Sequence, residues 1–590
     1  MRLSSKRLLI ASAAVAVALP VMAQNVVAPQ PATSPAVTPA PVTTPAPRKE
    51  ATRAPGVQGP TETGTGVVDA DELEVPAYTP PVEYPDFARR DPAIVGYLDS
   101  AAIGLGSDPW GGANGAFLAG LIRRIDMPLA SRWGHIALRN ALYARAAAPR
   151  SVDPVNWVAE RALLLVRMGE ADAARLLVSG VDTDRFTPGM YQVAVQSALA
   201  NADPAGLCPL EDGIREVETN ILPLVQAMCS ALAGEPEQAS AQIDAARRRG
   251  KLSGIDLVLA QKVVGAGANT GRAVTVEWEP VERLNAWRFG LATATGMTFP
   301  ERLISDAPAN LRAWQARAPM IASADRLASA KIATGLGVFS GQALMDLYAL
   351  IYDATGEDDL PQTDAWQVRM AFVGKDQDTK LAAMQKLWGA ARDPYQKLAA
   401  WALLAPAAAR IAPSGDLQTQ APDLIASMLA AGLDKDAARW ADAVRQMDDE
   451  PGDRAWAMLA LGAPDAERVD VSSGRINAFI GRDESVDRKR SALLVAGLLG
   501  LGRIDVGAAN RLNSRYHLRL DHQSSWTKAI DDAAGKRQPG SVMVLAGTGL
   551  QTGDVAKLPS SHMLHIVSAL RRTGQDFTAR MIAAEALART

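Results

Sequence analysis

Residues 157–177 read WVAERALLLVRMGEADAARLL, and the spacing within them decides the fold class. Trp157, Arg161, Leu164, Leu165 and Met168 recur every three or four positions, the stripe of an amphipathic helix with one polar interruption. Gly169 ends the stripe, and Ala174 follows five residues later within a second helical pattern. Glycine closes a helix well because it accepts the left-handed conformation that other residues resist. A small residue in the second helix lets the two helices touch, and Leu177 can then bury against the first. The segment predicts a helical hairpin.

The same turn recurs along the chain. Gly234 precedes Ala239, Gly432 precedes Ala437, Gly574 precedes Ala579, and Gly502 precedes the small residue Gly507. Leu165, Leu232, Leu429, Leu499 and Leu570 lie two to four residues before their glycines, and Ile243, Trp440 and Ile582 are the matching anchors of the second helices. This Gly-x4-Ala element resembles the turn of tetratricopeptide repeats, although the Trp/Leu/Gly/Tyr positions of that family's first helix are mostly unmatched. Successive turns lie 65, 198, 70 and 72 residues apart, so the expectation is an all-α, degenerate TPR-like hairpin solenoid over 91–590. The last hairpin, Ser561 to Arg589, reads as its terminal cap. Subdomain breaks are expected near 265–281 and 465–473, and Gly540 to Gly549 looks less helical than its surroundings.

Composition agrees with helices. Of 590 residues 48% are hydrophobic, 21% charged and only 5% aromatic, a globular balance poor in strand formers. The N-terminus reads as an export signal over 1–23: basic Arg2, Lys6 and Arg7, an apolar Leu8–Leu19, then Pro20 and Val21-Met22-Ala23. Lys6-Arg7 is not a twin arginine, which implies the general secretion route and a periplasmic or secreted protein. Residues 24–90 read as a Pro/Ala/Thr-rich disordered tether, and folding is expected to begin at Asp91-Pro92. Net charge is −3, and loss of Arg2, Lys6 and Arg7 takes it to −6, which argues against nucleic acid as a partner. Cys208 and Cys229 are the only cysteines, and an oxidising compartment favours a structural disulfide between them.

Candidate chemistry is sparse, and no cofactor motif is recognised. His562 and His565 share a helix face, and His517, Asp521 and His522 lie nearby in sequence, but no zinc frame is present. Ser525-x-x-Lys528 matches the nucleophile motif of penicillin-binding proteins without its companion motifs. Glu484-Ser485 lacks the downstream segment of lytic transglycosylases, whose superhelical part the architecture resembles. The lone Gly-x-Gly matches at 104–106, 335–337 and 547–549 lack a strand-to-helix context. Basic runs at 123–124, 247–249 and 488–490 read as solvated charge rather than phosphate patches, two of them as complements to helix C-terminal dipoles. The twelve tryptophans read as core anchors, with sugar stacking the alternative.

The chain also resembles a set of exported helical-repeat proteins of alphaproteobacteria, through Ala130-Ser131-Arg132-Trp133, residues 157–162 and 167–172, and Ala583-Ala584-Glu585-Ala586-Leu587. Some of these bear the name "antifreeze glycopeptide polyprotein". That name reflects the Ala/Thr/Pro leader, since the Ala-Ala-Thr repeat of antifreeze glycopeptides is not here. The resemblance implies the fold and export and supplies no activity. The expectation is a non-catalytic interaction scaffold with protein partners in the cell envelope. A peptidoglycan-associated module is the alternative, and ice binding a remote one.

Overall fold

The computed structural model describes residues 85–249, 254–269 and 275–590. The signal segment and all but the last few residues of the tether lie outside these, as does part of the break expected at 265–281. The described chain is all-α. It holds 28 α-helices, short 3-10 turns, and one two-residue parallel pairing of Leu98–Asp99 with Ala144–Arg145. No helix among the described residues is long and apolar enough to cross a membrane.

The turn glycines do the work their spacing implies. Gly169, Gly234, Gly432, Gly502 and Gly574 all have φ between 67° and 88°. In each turn the next residue's N–H returns to the carbonyl five positions back, as in Glu170 to Leu165 and Gln575 to Leu570, which satisfies a carbonyl the helix leaves open. Ala174, Ala239, Ala437 and Ala579 are fully buried where the two helices meet. The fifth turn departs from this pattern. Gly507 is exposed, and the buried small residue is Ala509, because Asp505 caps the helix Val506–Tyr516 and shifts its register.

Other turns use the same geometry without glycine. Ala202 (φ 53°) and Arg537 (φ 54°) carry the same return bonds, Asp203 to Ala198 and Gln538 to Ala533, and Asn269 is also left-handed (φ 49°). Left-handed turns then fall at 169, 202, 234 and 269, steps of 33, 32 and 35 residues, and at 502, 537 and 574, steps of 35 and 37. The long, uneven intervals between the glycine turns thus conceal a period near 34 in two stretches of the chain. A non-glycine residue in this conformation costs about 1–2 kcal/mol, which tertiary packing offsets.

Two expectations need correction. Residues 540–549 lie in a helix, Pro539–Gly549, with all but Thr548 buried. Its glycines are where neighbours come close: an added Cβ would stand 2.9 Å from the Trp110 ring at Gly540 and 3.0 Å from Leu138 at Gly547. Close packing outweighs glycine's helix penalty of about 1 kcal/mol. The last hairpin is not a cap with a polar outer face, for nine consecutive residues of its final helix, Ala579–Leu587, are buried.

They are buried because residues 104–143 meet the last helices. The Gly540 and Ala130 amides donate to the carbonyls of Pro109 and Leu550, each at 2.8 Å. The Gln575 and Gln538 amides donate to Gly104 and Gly111 carbonyls at 2.7 and 2.8 Å. At the centre of this seam stands the helix Arg132–Tyr143. The Glu585 carboxylate caps it from the last helix, accepting from Ser131 Oγ (2.7 Å), Arg132 N (2.9 Å) and Trp133 N (3.1 Å), which suits an anion at a helix N-terminus. The buried Arg132 guanidinium donates to the carbonyls of Thr334 (3.0 Å) and Ala430 (2.8 Å) near the ends of two further helices. Arg161 and Arg503 are used alike, on the carbonyls of Val95, Leu142 and Ala144 and of Ala460 and Ala463. Burial lowers all three guanidinium pKa values to about 10, so the groups stay charged and bound at neutral pH. A disulfide joins Cys208, in the 3-10 helix Pro204–Leu210, to Cys229, in Leu222–Leu232, with Cα atoms 5.6 Å apart.

Candidate functional site

The cleft that gathers unused chemistry is built from three loops. Residues 485–488 precede the helix Lys489–Gly500, residues 517–523 follow Val506–Tyr516, and residues 556–559 precede Ser560–Arg572. They are tied together at the cleft floor. Ser560 Oγ donates to the Leu518 carbonyl at 2.7 Å, and Lys489 Nζ to that of Leu558. The cavity between them measures about 1170 Å³. Among the described residues, four of the eight non-glycine residues with positive φ line it: Asp487, Arg488, His517 and Arg519. Such strain concentrates at functional sites.

Charge distinguishes this cleft. Arg488, Lys489, Arg519, Lys557 and Arg589 line it, against Asp487 and Asp521, in a chain that is acidic overall. Arg589 is paired with Glu585, while Arg488, Arg519 and Lys557 form no ion pair with any described residue. Arg488 and Arg515 flank the Tyr516 ring at 5.4 and 5.1 Å. Burial depresses the Lys489 pKa, and the charge of Asp554 acts the other way. Burial also works to raise the Asp483 carboxyl beside the cleft, but hydrogen bonds from Ser485 and Ser491 outweigh it and hold the pKa low.

A smaller cavity of about 400 Å³ between the helices Asp449–Gly462 and Ser473–Arg482 makes the contrast. It too is rich in arginine, but Arg475 and Arg482 both pair with Asp453, at 2.6 and 2.8 Å, and Arg445 and Arg468 pair with Asp442 and Asp465. Its charges are already neutralised, and Arg475 covers the Trp456 ring at 4.2 Å.

The residues singled out from sequence scatter. His517, Asp521 and His522 come to the cleft. His562 and His565 do not act as a pair. His562 packs tilted against Trp526, with ring centroids 4.3 Å apart and Nδ1 near the Gly549 carbonyl, and His565 Nδ1 meets Asp531 at 2.8 Å. No metal-ligating cluster occurs among the described residues. Ser525 and Lys528 are exposed at a helix start whose cap is Ser524. Ser485 lines the cleft but is a turn staple, donating to Asp483 at 2.6 Å and accepting from Arg490 N. Nine of the twelve tryptophans are buried and the other three half-buried, so none is fully exposed.

The run 488–490 was expected to be solvated charge. It opens a helix, and Arg488 and Lys489 face a cavity. Reading from sequence also missed Arg519, Lys557 and Ser561, because the cleft joins loops 30 to 70 residues apart and no single window contains it. No family model matches the chain, and no curated protein or solved structure matches it either.

Proposed function

We propose that the protein is a non-catalytic interaction scaffold of the cell envelope that docks an anionic ligand, presented by an envelope partner, in the basic cleft. The cleft carries this reading: three cations that form no ion pair with any described residue face a large cavity in an acidic chain. Unpaired charge of one sign lining a concavity attracts and orients the opposite sign. The recurrent left-handed turn at steps near 34 residues supports reading 91–590 as a degenerate tetratricopeptide-like array, a class that presents extended binding surfaces. The export signal expected at 1–23 and the tether expected at 24–90 support reading the array as periplasmic. The Cys208–Cys229 bond suits such an oxidising compartment. The buried tryptophans give the peptidoglycan alternative no support.

The test is site-specific crosslinking in cells. A photo-crosslinking residue replaces Val486, 84% exposed on the cleft rim, and in a control Val373, which is exposed but does not line the cleft. A discrete adduct at 486 that is absent at 373 and abolished by Arg519→Glu with Lys557→Glu is expected. Equal adducts at both positions, or none that depends on those charges, would overturn the reading.

A further inference from the structure

We propose that the inner end of the cleft, where the helix Ser560–Arg572 begins, binds a phosphate monoester group; this rests on the docking reading above and names the chemistry of the docked group. The first internal hydrogen bond of that helix is Met563 N–H to the Pro559 carbonyl, at 3.1 Å. Proline at the cap supplies no side-chain acceptor, so the N–H groups of Ser560, Ser561 and His562 have no acceptor among the described residues. Helix starts of this kind favour anions.

A second observation points the same way. Ser561 is 1% exposed and lines the cavity, yet its hydroxyl has no hydrogen-bond partner among the described residues. Buried hydroxyls are normally paired. Its neighbour Ser560 shows the usual outcome, donating to the Leu518 carbonyl. Three amides and one hydroxyl at this helix start are therefore without an acceptor or partner among the described residues. The loops pinned to this helix start carry the free cations Arg519 and Lys557, with Arg488 on the facing loop.

The number of donors selects the anion. A phosphate monoester has three terminal oxygens and a charge of about −1.5 to −2 at neutral pH. A carboxylate or a phosphodiester offers two free oxygens and one charge, and would leave donors and cations unused. A cavity of about 1170 Å³ far exceeds one phosphate, so the remainder houses what carries it.

Titration calorimetry of the exported chain with inorganic phosphate, at fixed ionic strength, is the test. One site per chain is expected, with succinate at the same ionic strength failing to compete. Arg519→Gln with Lys557→Gln should weaken phosphate by tenfold or more, and Ser561→Ala by several-fold. The exposed pair keeps the test decisive even if the buried variant folds poorly. Sedimentation with phosphatidylcholine vesicles containing phosphatidate, reversed by free phosphate, places the group on a lipid; phosphate binding without sedimentation places it on a soluble ester. No phosphate binding, or succinate binding as well as phosphate, overturns the inference. If the adduct at position 486 nevertheless persists, the docking reading stands and only the phosphate assignment falls.

Discussion

The seam at residues 130–143 and 576–588 and the cleft around 485–523 and 556–561 both concentrate charge, and they use it in opposite ways. At the seam every buried charge is answered. Glu585 meets Arg589 and caps a helix, and Arg580 meets Asp434 and Asp576 at 2.8 Å each and the Gly462 carbonyl. In the cleft three cations form no ion pair, and three helix amides and the Ser561 hydroxyl have no hydrogen-bond partner, among the described residues. Removing one member of a buried, answered set leaves the other stranded, whereas removing an unanswered charge relieves repulsion. Charge at the seam therefore serves folding, and charge in the cleft remains available to a ligand.

The sharpest way to break this contrast is Glu585→Ala. It removes the carboxylate that pairs with Arg589 and offsets the buried charge of Arg132, and it uncaps a helix, so chemical denaturation should show a loss of about 3–5 kcal/mol. A loss below 1 kcal/mol would mean that the seam is incidental. The disulfide lies in neither region and sets a yardstick: Cys208→Ser with Cys229→Ser should cost about 2–4 kcal/mol, and reductant should do the same to the parent chain and nothing to the variant.

Two turn glycines sharpen the comparison further. At Gly432 an added Cβ would lie 3.0 Å from the Phe577 ring and 3.2 Å from Trp133, whereas at Gly574 it meets open space. Both have φ near 80°, so Gly574→Ala should cost about 1 kcal/mol in thermal unfolding, from backbone strain alone. Gly432→Ala should cost about 1–3 kcal/mol more through overpacking at the seam.

A pH titration probes the elements behind the cleft. Burial lowers the His562 pKa, the Gly549 carbonyl opposes this, and the charges of His522 and His565 add to it. The folded chain thus favours neutral imidazole. That contribution is complete above the ordinary imidazole pKa and is lost as pH falls through it toward the lowered folded value. Stability should decline on acidification across this window, and less steeply in His562→Gln. The smallest effect is expected in the cleft itself, where Arg519→Gln or Lys557→Gln should change stability by about 0.5 kcal/mol or less. A large loss there would show that these cations are structural after all.

Much of the fold was legible locally. The helix stripe at 157–168, the turn at Gly169 and the buried Ala174 depend on neighbours within twenty residues. Where the turn residue was Ala202 or Arg537 the signal vanished, because a left-handed alanine or arginine is unfavourable alone and is held by packing. The helix Pro539–Gly549 was obscured for the complementary reason, its glycines being chosen by Trp110 and Leu138 rather than by helix propensity. Of the candidate site, His517, Asp521, His522 and the basic run at 488–490 were visible as residues, but nothing local distinguished them from solvated charge.

By itself, then, the sequence determined the helical class, the left-handed glycine turns and the pair of cysteines, since each follows from short-range spacing and composition. The tertiary structure decided that residues 104–143 meet the last helices, that Glu585 caps a helix more than 440 residues earlier, and that three distant loops share one cavity. Those outcomes depend on which surfaces remain to be buried once the hairpins have formed, and no window of sequence contains both partners.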